Sequence, residues 1–130
     1  LHMRPRDTML RLHRFRTEEK RRQVADIEGM INDFMRKYDD LDAAVKFEES
    51  RNGVSDPTHF NYSLQAKAAR ARRDNLMKSI AELKDQLTDA RAALDEAEQE
   101  LRRAELLIEK EGAAAVAVAA QVMAAPHHIR

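Results

Sequence analysis

Residues 76–108 read LMKSIAELKDQLTDARAALDEAEQELRRAELLI, and this stretch decides the fold. Its apolar residues recur with alternating spacings of three and four, as they do at the a and d positions of a heptad repeat. Extended toward the N-terminus, the pattern includes fourteen such positions, and only one of them, Arg73, is not apolar. The fourteen positions are Tyr62, Ala66, Ala69, Arg73, Leu76, Ile80, Leu83, Leu87, Ala90, Leu94, Ala97, Leu101, Ala104 and Ile108. The spacing predicts a long helix that buries one narrow apolar seam.

A second seam with the same spacing precedes the first one in the chain. It consists of Val24, Ile27, Ile31, Phe34, Tyr38, Leu41 and Val45. Between the two seams, Gly53 can take the left-handed conformation that ends a helix. Asp56 followed by Pro57 is typical of a helix N-cap with proline at the first helical position. Two helices joined by so short a break favour an all-α fold, an antiparallel coiled-coil hairpin.

The composition agrees with one elongated domain. Charged residues make up 35% of the chain and aromatic residues 5%, which favours long helices over a broad globular core. The chain has no cysteine, so disulfides and thiolate metal sites are excluded. No apolar run is long enough to predict a membrane-spanning helix. The predicted organisation is a disordered start or cloning remnant at 1–6, a helix at 7–51, a turn at 52–56, a helix at 57–112 and an Ala/Val-rich tail at 113–130, which is either mobile or an oligomer contact. Because alanine favours helix, the alternative is that the second helix continues toward Ala125.

Formal charge alternates along the chain although the total is zero. The net charge is +5 over residues 1–23, −5 over 24–50, +4 over 51–79 and −5 over 80–112, and Arg130 supplies the remaining +1. Folding back at the turn would place each basic block beside an acidic one, whereas a parallel pairing would oppose like charges. The alternative is that the blocks are only solvated helix faces. For a turn at 53–54, facing residues have numbers that add to roughly 107, so Ile31 is predicted to lie opposite Leu76.

The two ends of the predicted hairpin differ in how well they pack. At the open end, bulky residues that include Met9, Leu12 and Phe15 are expected to face the alanines of the second helix. Thr17 and Lys20 stand where apolar groups are expected, so the seam is predicted to be weak there. The second helix is predicted to be longer than the first, which leaves its last apolar residues as a frayed end, a self-association surface or a docking surface.

No catalytic, cofactor or metal site is predicted. The histidines do not form metal-ligand spacings, and adjacent acidic pairs such as Glu18 and Glu19 point in different directions on a helix. The chain has no glycine-rich phosphate loop, and a two-helix fold offers no enclosed acid–base site. The basic start resembles a DNA-binding basic region, but no parallel zipper follows it. We therefore expect a protein that is not an enzyme. Two functions remain open at this point, that of a generic coiled-coil adaptor and that of a nucleic-acid-binding basic helical protein.

Several segments resemble the bacterial flagellar export protein FliJ family. The segments are RDTMLRLHRF at 6–15, EKRRQVA at 19–25, IE at 27–28, DPTHFNY at 56–62, AKAAR at 66–70 and RRDNL at 72–76. The likeness extends over residues 6–112, and the tail after Gly112 has no counterpart in it.

The resemblance implies a cytoplasmic antiparallel coiled coil, similar to the central stalk of rotary ATPases, located at the flagellar basal body. It implies binding to the export ATPase ring and to the cytoplasmic domain of the export-gate membrane protein, with export chaperones as further partners. The residues themselves predict neither a specific nucleic-acid partner nor insertion into the membrane. The chain is expected to be a monomer or a dimer that exchanges helices.

The candidate contact residues are physical hypotheses, because the resemblance does not supply them. The open end combines charge with apolar surface, as a tip that enters an ATPase ring requires. Its candidate residues are Arg11, Arg14, Phe15, Arg16, Arg21, Arg22, Leu101, Leu107 and Ile108. The turn end carries an aromatic group that is either a packed cap or a patch for a second partner. Its candidate residues are Phe47, His59, Phe60 and Tyr62.

Overall fold

A computed structural model describes residues 4–124 and confirms the all-α prediction. Helix α1 spans Pro5–Asn52 and helix α2 spans Leu64–Ala124. The two helices pack against each other as an antiparallel hairpin. The contacts divide the chain into two compact units. We call residues 22–91 the turn unit, and residues 1–21 with 92–130 the terminal unit.

The turn unit contains nearly all of the well-buried apolar side chains. Its buried residues are Val45, Tyr62, Ala66, Ala69, Ile80, Leu83 and Leu87. The other a and d residues of α1 in this unit, such as Ile31 and Tyr38, are half-buried. Burial therefore follows the predicted heptad positions on both helices. Burying these side chains between two helices supplies the main stabilisation of the unit.

The pairing of the helices in the turn unit is antiparallel but shifted from the prediction. Arg73 forms an ion pair with Asp42 at 3.0 Å, and Arg91 with Glu28 at 3.4 Å. The numbers of these partners add to 115 and 119 instead of about 107, so the predicted pairing of Ile31 with Leu76 is wrong by roughly ten residues, or about 15 Å along a helix. The shift arises because the connection between the helices is longer than the predicted turn.

The start of this connection agrees with the sequence. Gly53 has a φ of +74°, and its N–H donates to the carbonyl oxygen of Glu49 at 2.9 Å. This left-handed residue ends α1, because few other residues adopt such a φ without strain.

The end of the connection differs from the predicted turn. Asp56 was predicted to cap α2, but its Oδ1 instead accepts hydrogen bonds from the N–H and hydroxyl of Thr58, at 2.9 and 2.8 Å. These bonds close a local turn and lower the pKa of the Asp56 carboxyl. Helix α2 begins at Leu64, where the Ser63 hydroxyl accepts the N–H of Ala66 at 3.2 Å. Ser63 is therefore the N-cap, and the predicted turn at 52–56 is too short.

In the terminal unit, ion pairs join the basic start of α1 to the acidic part of α2. Arg6 lies 3.2 Å from Glu111, and Arg14 lies 4.0 Å from Glu105. The partner numbers add to 117 and 119, which is again an antiparallel pairing. The predicted contact between a basic and an acidic block is present in this unit, with the same shift of register.

The seam of the terminal unit passes through polar residues. Thr17 is fully buried. Its hydroxyl donates to the carbonyl oxygen of His13 at 2.8 Å and lies 3.4 Å from that of Ala97. The prediction of weak packing at Thr17 is wrong because a threonine hydroxyl that bonds one turn back within its own helix can be buried with its methyl group. Lys20 is half-buried.

Both helices extend beyond their predicted ends. Helix α1 includes Pro5 and Arg6, which were expected to belong to a disordered start. Helix α2 continues past Gly112 to Ala124, and every residue from 112 to 124 is exposed. Alanine has the strongest helix propensity, which accounts for the continuation. Residues 1–3 and 125–130, which include the remainder of the predicted start and tail, lie outside the described residues.

Candidate functional site

The predicted open-end arginines all lie on α1, and two of them are already paired with acidic groups. Arg14 pairs with Glu105, and Arg21 pairs with Glu18 on its own helix and with Glu98 at 4.0 Å on α2. Arg11 and Arg22 are exposed, and each has an interaction within the chain. Much of the positive charge of this segment is therefore offset inside the hairpin.

Arg16 is different because it forms no ion pair within residues 4–124. It lines an open groove of about 250 Å³ together with His13, Lys20, Glu96 and Glu100. The groove has basic groups from α1 on one wall and carboxylates from α2 on the other, so it is suited to polar contacts with a protein surface. Within the described part of the chain, no three His, Cys, Asp or Glu side chains are arranged to hold a metal ion.

The apolar candidates at this end divide into two groups. Leu101 and Ile108 are half-buried in the seam, so the prediction that they lack a partner is wrong. It failed because the register is shifted, so the start of α1 lies beside the later part of α2, where Arg6 pairs with Glu111. Phe15 and Leu107 are 58% and 59% exposed and remain candidates for a contact surface.

Met9 and Leu12 are also exposed, although they were expected to pack with Phe15 against the alanines of α2. The seam of α1 continues with heptad spacing from Val24 back through Lys20, Thr17, His13 and Leu10. Residues 9, 12 and 15 fall outside that line. An extension of the heptad across polar residues would have found this exposed surface.

The predicted turn-end cluster also separates into core and surface. Tyr62 is buried, and its hydroxyl donates to Oε2 of Glu49 at 2.8 Å. Burial and this bond to a carboxylate raise the pKa of the Tyr62 phenol. Phe60 is 95% exposed and stacks on His59 with ring centroids 4.6 Å apart. Phe47 is exposed, and within residues 4–124 no ring contact joins it to that pair. The four residues therefore do not form a packed cap.

The loop that carries Phe60 is held by side-chain hydrogen bonds. The Asn52 amide donates to the carbonyl oxygen of Asn61 at 2.7 Å. The N–H of Asn61 donates to Nδ1 of His59 at 3.0 Å. These bonds fix the backbone on both sides of Phe60, so the ring is presented to solvent by an ordered loop.

The sequence reading treated Arg73 as a break in the seam and missed its partner. The Arg73 guanidinium donates to Oδ1 of Asp42 at 3.0 Å, and Lys46 lies 3.0 Å from the other carboxylate oxygen. Hydrogen bonds from Lys46 and then Arg73 lower the pKa of Asp42. This cluster joins the two helices and so stabilises their pairing.

The fold and surface define a class, that of antiparallel helical hairpins with charged and apolar groups on their surface. Comparison with protein-family models, curated proteins and solved structures gives no match to this chain. Within the described residues, neither helix combines the length and apolar character needed to cross a membrane.

Proposed function

We propose that this chain is a protein-binding component of the flagellar type III export apparatus that regulates the export ATPase in the manner of a stalk. Its other proposed partners are the export-gate membrane protein and export chaperones, at the cytoplasmic face of the flagellar basal body. The proposal is supported by the resemblance of residues 6–28 and 56–76 to the FliJ family and by the helical hairpin, the fold expected of that family.

The observation that carries the ATPase contact is the combination of unpaired charge and exposed apolar surface on α1 of the terminal unit. Arg16 has no ion-pair partner within residues 4–124, and the neighbouring Phe15 is largely exposed. An arginine and an aromatic side chain are the residue types most often found at energetically dominant contact positions. We therefore assign the ATPase contact to this part of α1.

Exposed Phe60 on its ordered loop supports a second contact in the turn unit. An exposed aromatic side chain on a fixed backbone loses little conformational entropy on binding. We assign the export gate to this surface, with Phe47 as a further candidate.

The ATPase contact is tested with the purified export ATPase and the full chain. Arg16→Glu is expected to remove most of the stimulation of ATP hydrolysis, about tenfold or more, because it reverses a desolvated charge at the contact. Arg16→Gln removes the charge without adding a carboxylate next to Glu96 and Glu100, and it should lose stimulation with unchanged helicity. The matched control is Arg72→Glu, which reverses an exposed, unpaired arginine in the turn unit and should stimulate normally.

Normal stimulation by both Arg16 variants would contradict this assignment. The same experiment tests the second surface, since Phe47→Ala with Phe60→Ala should leave stimulation intact and weaken binding to the cytoplasmic domain of the export gate. If the two sets of variants exchange their effects, the two contacts are assigned to the wrong surfaces. No stimulation by the unaltered chain would favour a generic adaptor instead.

A further inference from the structure

We propose that the outer face of α2 between Arg103 and Lys110 is a docking site for an acidic amphipathic helix of a partner protein. Arg103, Leu106, Leu107 and Lys110 have the i, i+3, i+4, i+7 spacing that places side chains on one face of a helix. They line an open groove of about 390 Å³. Leu106 and Leu107 are 51% and 59% exposed, so the centre of this face is apolar and the two cations stand at its ends.

The charges of Arg103 and Lys110 are available for a partner. Neither residue forms an ion pair within residues 4–124, whereas Arg6 and Arg14 of the same unit are paired with glutamates of α2. A seven-residue separation corresponds to about 10 Å along a helix. A second helix with two carboxylates seven residues apart, and apolar residues between them, would therefore match both cations and both leucines at once.

The apolar surface continues from this face toward α1. A neighbouring groove of about 270 Å³ is lined by Met9, Ala104 and Leu107 together with the polar side chains of His13, Glu100 and Arg103. Met9 is largely exposed. A flexible methionine beside leucines is typical of surfaces that accept the apolar face of a helix.

The short length of the face favours a protein helix over a membrane surface. Helices that lie in a membrane interface bury an apolar face rich in large side chains over many turns. Here two leucines occupy a single turn, and the same face continues with small side chains, the alanines at 114 and 117 and the exposed Val118. Two turns with a cation at each end suit a helix of comparable length. This inference does not depend on the proposed flagellar role.

The test uses two fluorescent synthetic amphipathic helices as probes. One carries leucines flanked by glutamates seven residues apart, and the other carries lysines in place of the glutamates. The full chain should bind the acidic probe in anisotropy titrations, and Arg103→Glu with Lys110→Glu should weaken binding about tenfold or more. The same variant should gain affinity for the lysine probe. Leu106→Ser with Leu107→Ser should also lose binding, while Lys78→Glu, an exposed control in the turn unit, should not.

Equal binding of both probes by the unaltered chain would overturn the proposal, as would charge reversal without effect. Vesicles containing anionic lipid are the competing occupant, and a preference for them over the acidic probe would assign the surface to a membrane. Light scattering tests whether a second copy of the chain occupies the site instead. A dimer that dissociates when the charges of Arg103 and Lys110 are reversed would also refute the proposal. Circular dichroism of each variant ensures that a loss of binding is not a loss of folding.

Discussion

The turn unit and the terminal unit contain parts of the same two helices, yet they bury different residues. The turn unit buries large aliphatic side chains, of which Ile80 and Val45 are almost fully enclosed. Among the described residues of the terminal unit only Thr17 is fully buried, while Phe15 and Leu107 remain on the surface. Since apolar burial is the dominant favourable contribution to folding, the turn unit should provide most of the stability of the hairpin. The terminal unit instead exposes apolar and charged groups that other proteins can contact.

The largest expected effect tests this division directly. Ile80→Ala should lower the free energy of unfolding by roughly 3 kcal/mol, because Ile80 is 1% exposed and its loss leaves a cavity. Leu101→Ala in the terminal unit should cost only about 1 kcal/mol, since Leu101 is half-buried and water can reach the vacated space. Urea unfolding followed by far-UV circular dichroism measures both. Equal losses would show that the two units contribute alike.

The same contrast between the two units explains how much of the fold the sequence predicts. The apolar heptads of the turn unit indicated the helices, because periodic burial needs no knowledge of neighbouring atoms. The short break between the heptads and the alternating charge blocks indicated the antiparallel pairing. In the terminal unit the seam passes through His13 and Thr17, and composition alone does not reveal that a hydroxyl can be satisfied within its own helix. The extent of the loop was missed for a similar reason, since Asp56 followed by Pro57 is compatible with a helix start or a tight turn.

The candidate surfaces were less predictable than the fold. The sequence indicated which residue types could make contacts, but burial separated Tyr62 from Phe60 and Leu101 from Leu107. Both separations agree with the heptad spacing, since Tyr62 and Leu101 are a or d positions whereas Phe60 and Leu107 are not. The spacing did not show that α1 reaches far enough to cover Leu101, because that depends on the shifted register.

A smaller effect is expected for a test of whether the turn unit has one aromatic side chain in its core and another on its surface. Tyr62→Phe should reduce the free energy of unfolding by roughly 1 kcal/mol, because it removes the hydroxyl that donates to Glu49. Phe60→Ala should change it by less than about 0.5 kcal/mol, since the ring is almost wholly exposed. Urea unfolding of the two variants provides the comparison. A large loss from Phe60→Ala would mean that the loop ring supports the fold, and its assignment as a contact residue would fail.

The smallest expected effect concerns the pH dependence of stability, which should differ between the polar residues at the seams of the two units. In the turn unit, Asp42 accepts hydrogen bonds from Lys46 and Arg73, and its pKa is lowered from the ordinary value of 3.8. Because the folded-state pKa lies below the unfolded one, the stabilisation is fully present above pH 3.8 and is lost as the pH falls through the folded-state pKa. Thr17 of the terminal unit has no titrating group and should show no such dependence.

Melting temperatures measured from neutral pH to strongly acidic pH examine this difference. At neutral pH the wild-type chain should have a higher melting temperature than Asp42→Asn. This difference in melting temperature should shrink once the pH falls below 3.8. Asp40→Asn alters an exposed carboxylate that has no ion pair within residues 4–124. This control variant should therefore melt at the same temperature as the wild-type chain at every pH. A constant difference for Asp42→Asn down to the lowest pH would mean that its ionisation does not stabilise the seam. The contribution of Arg73 would then come from the packing of its aliphatic stem, which lies in the half-buried seam regardless of pH.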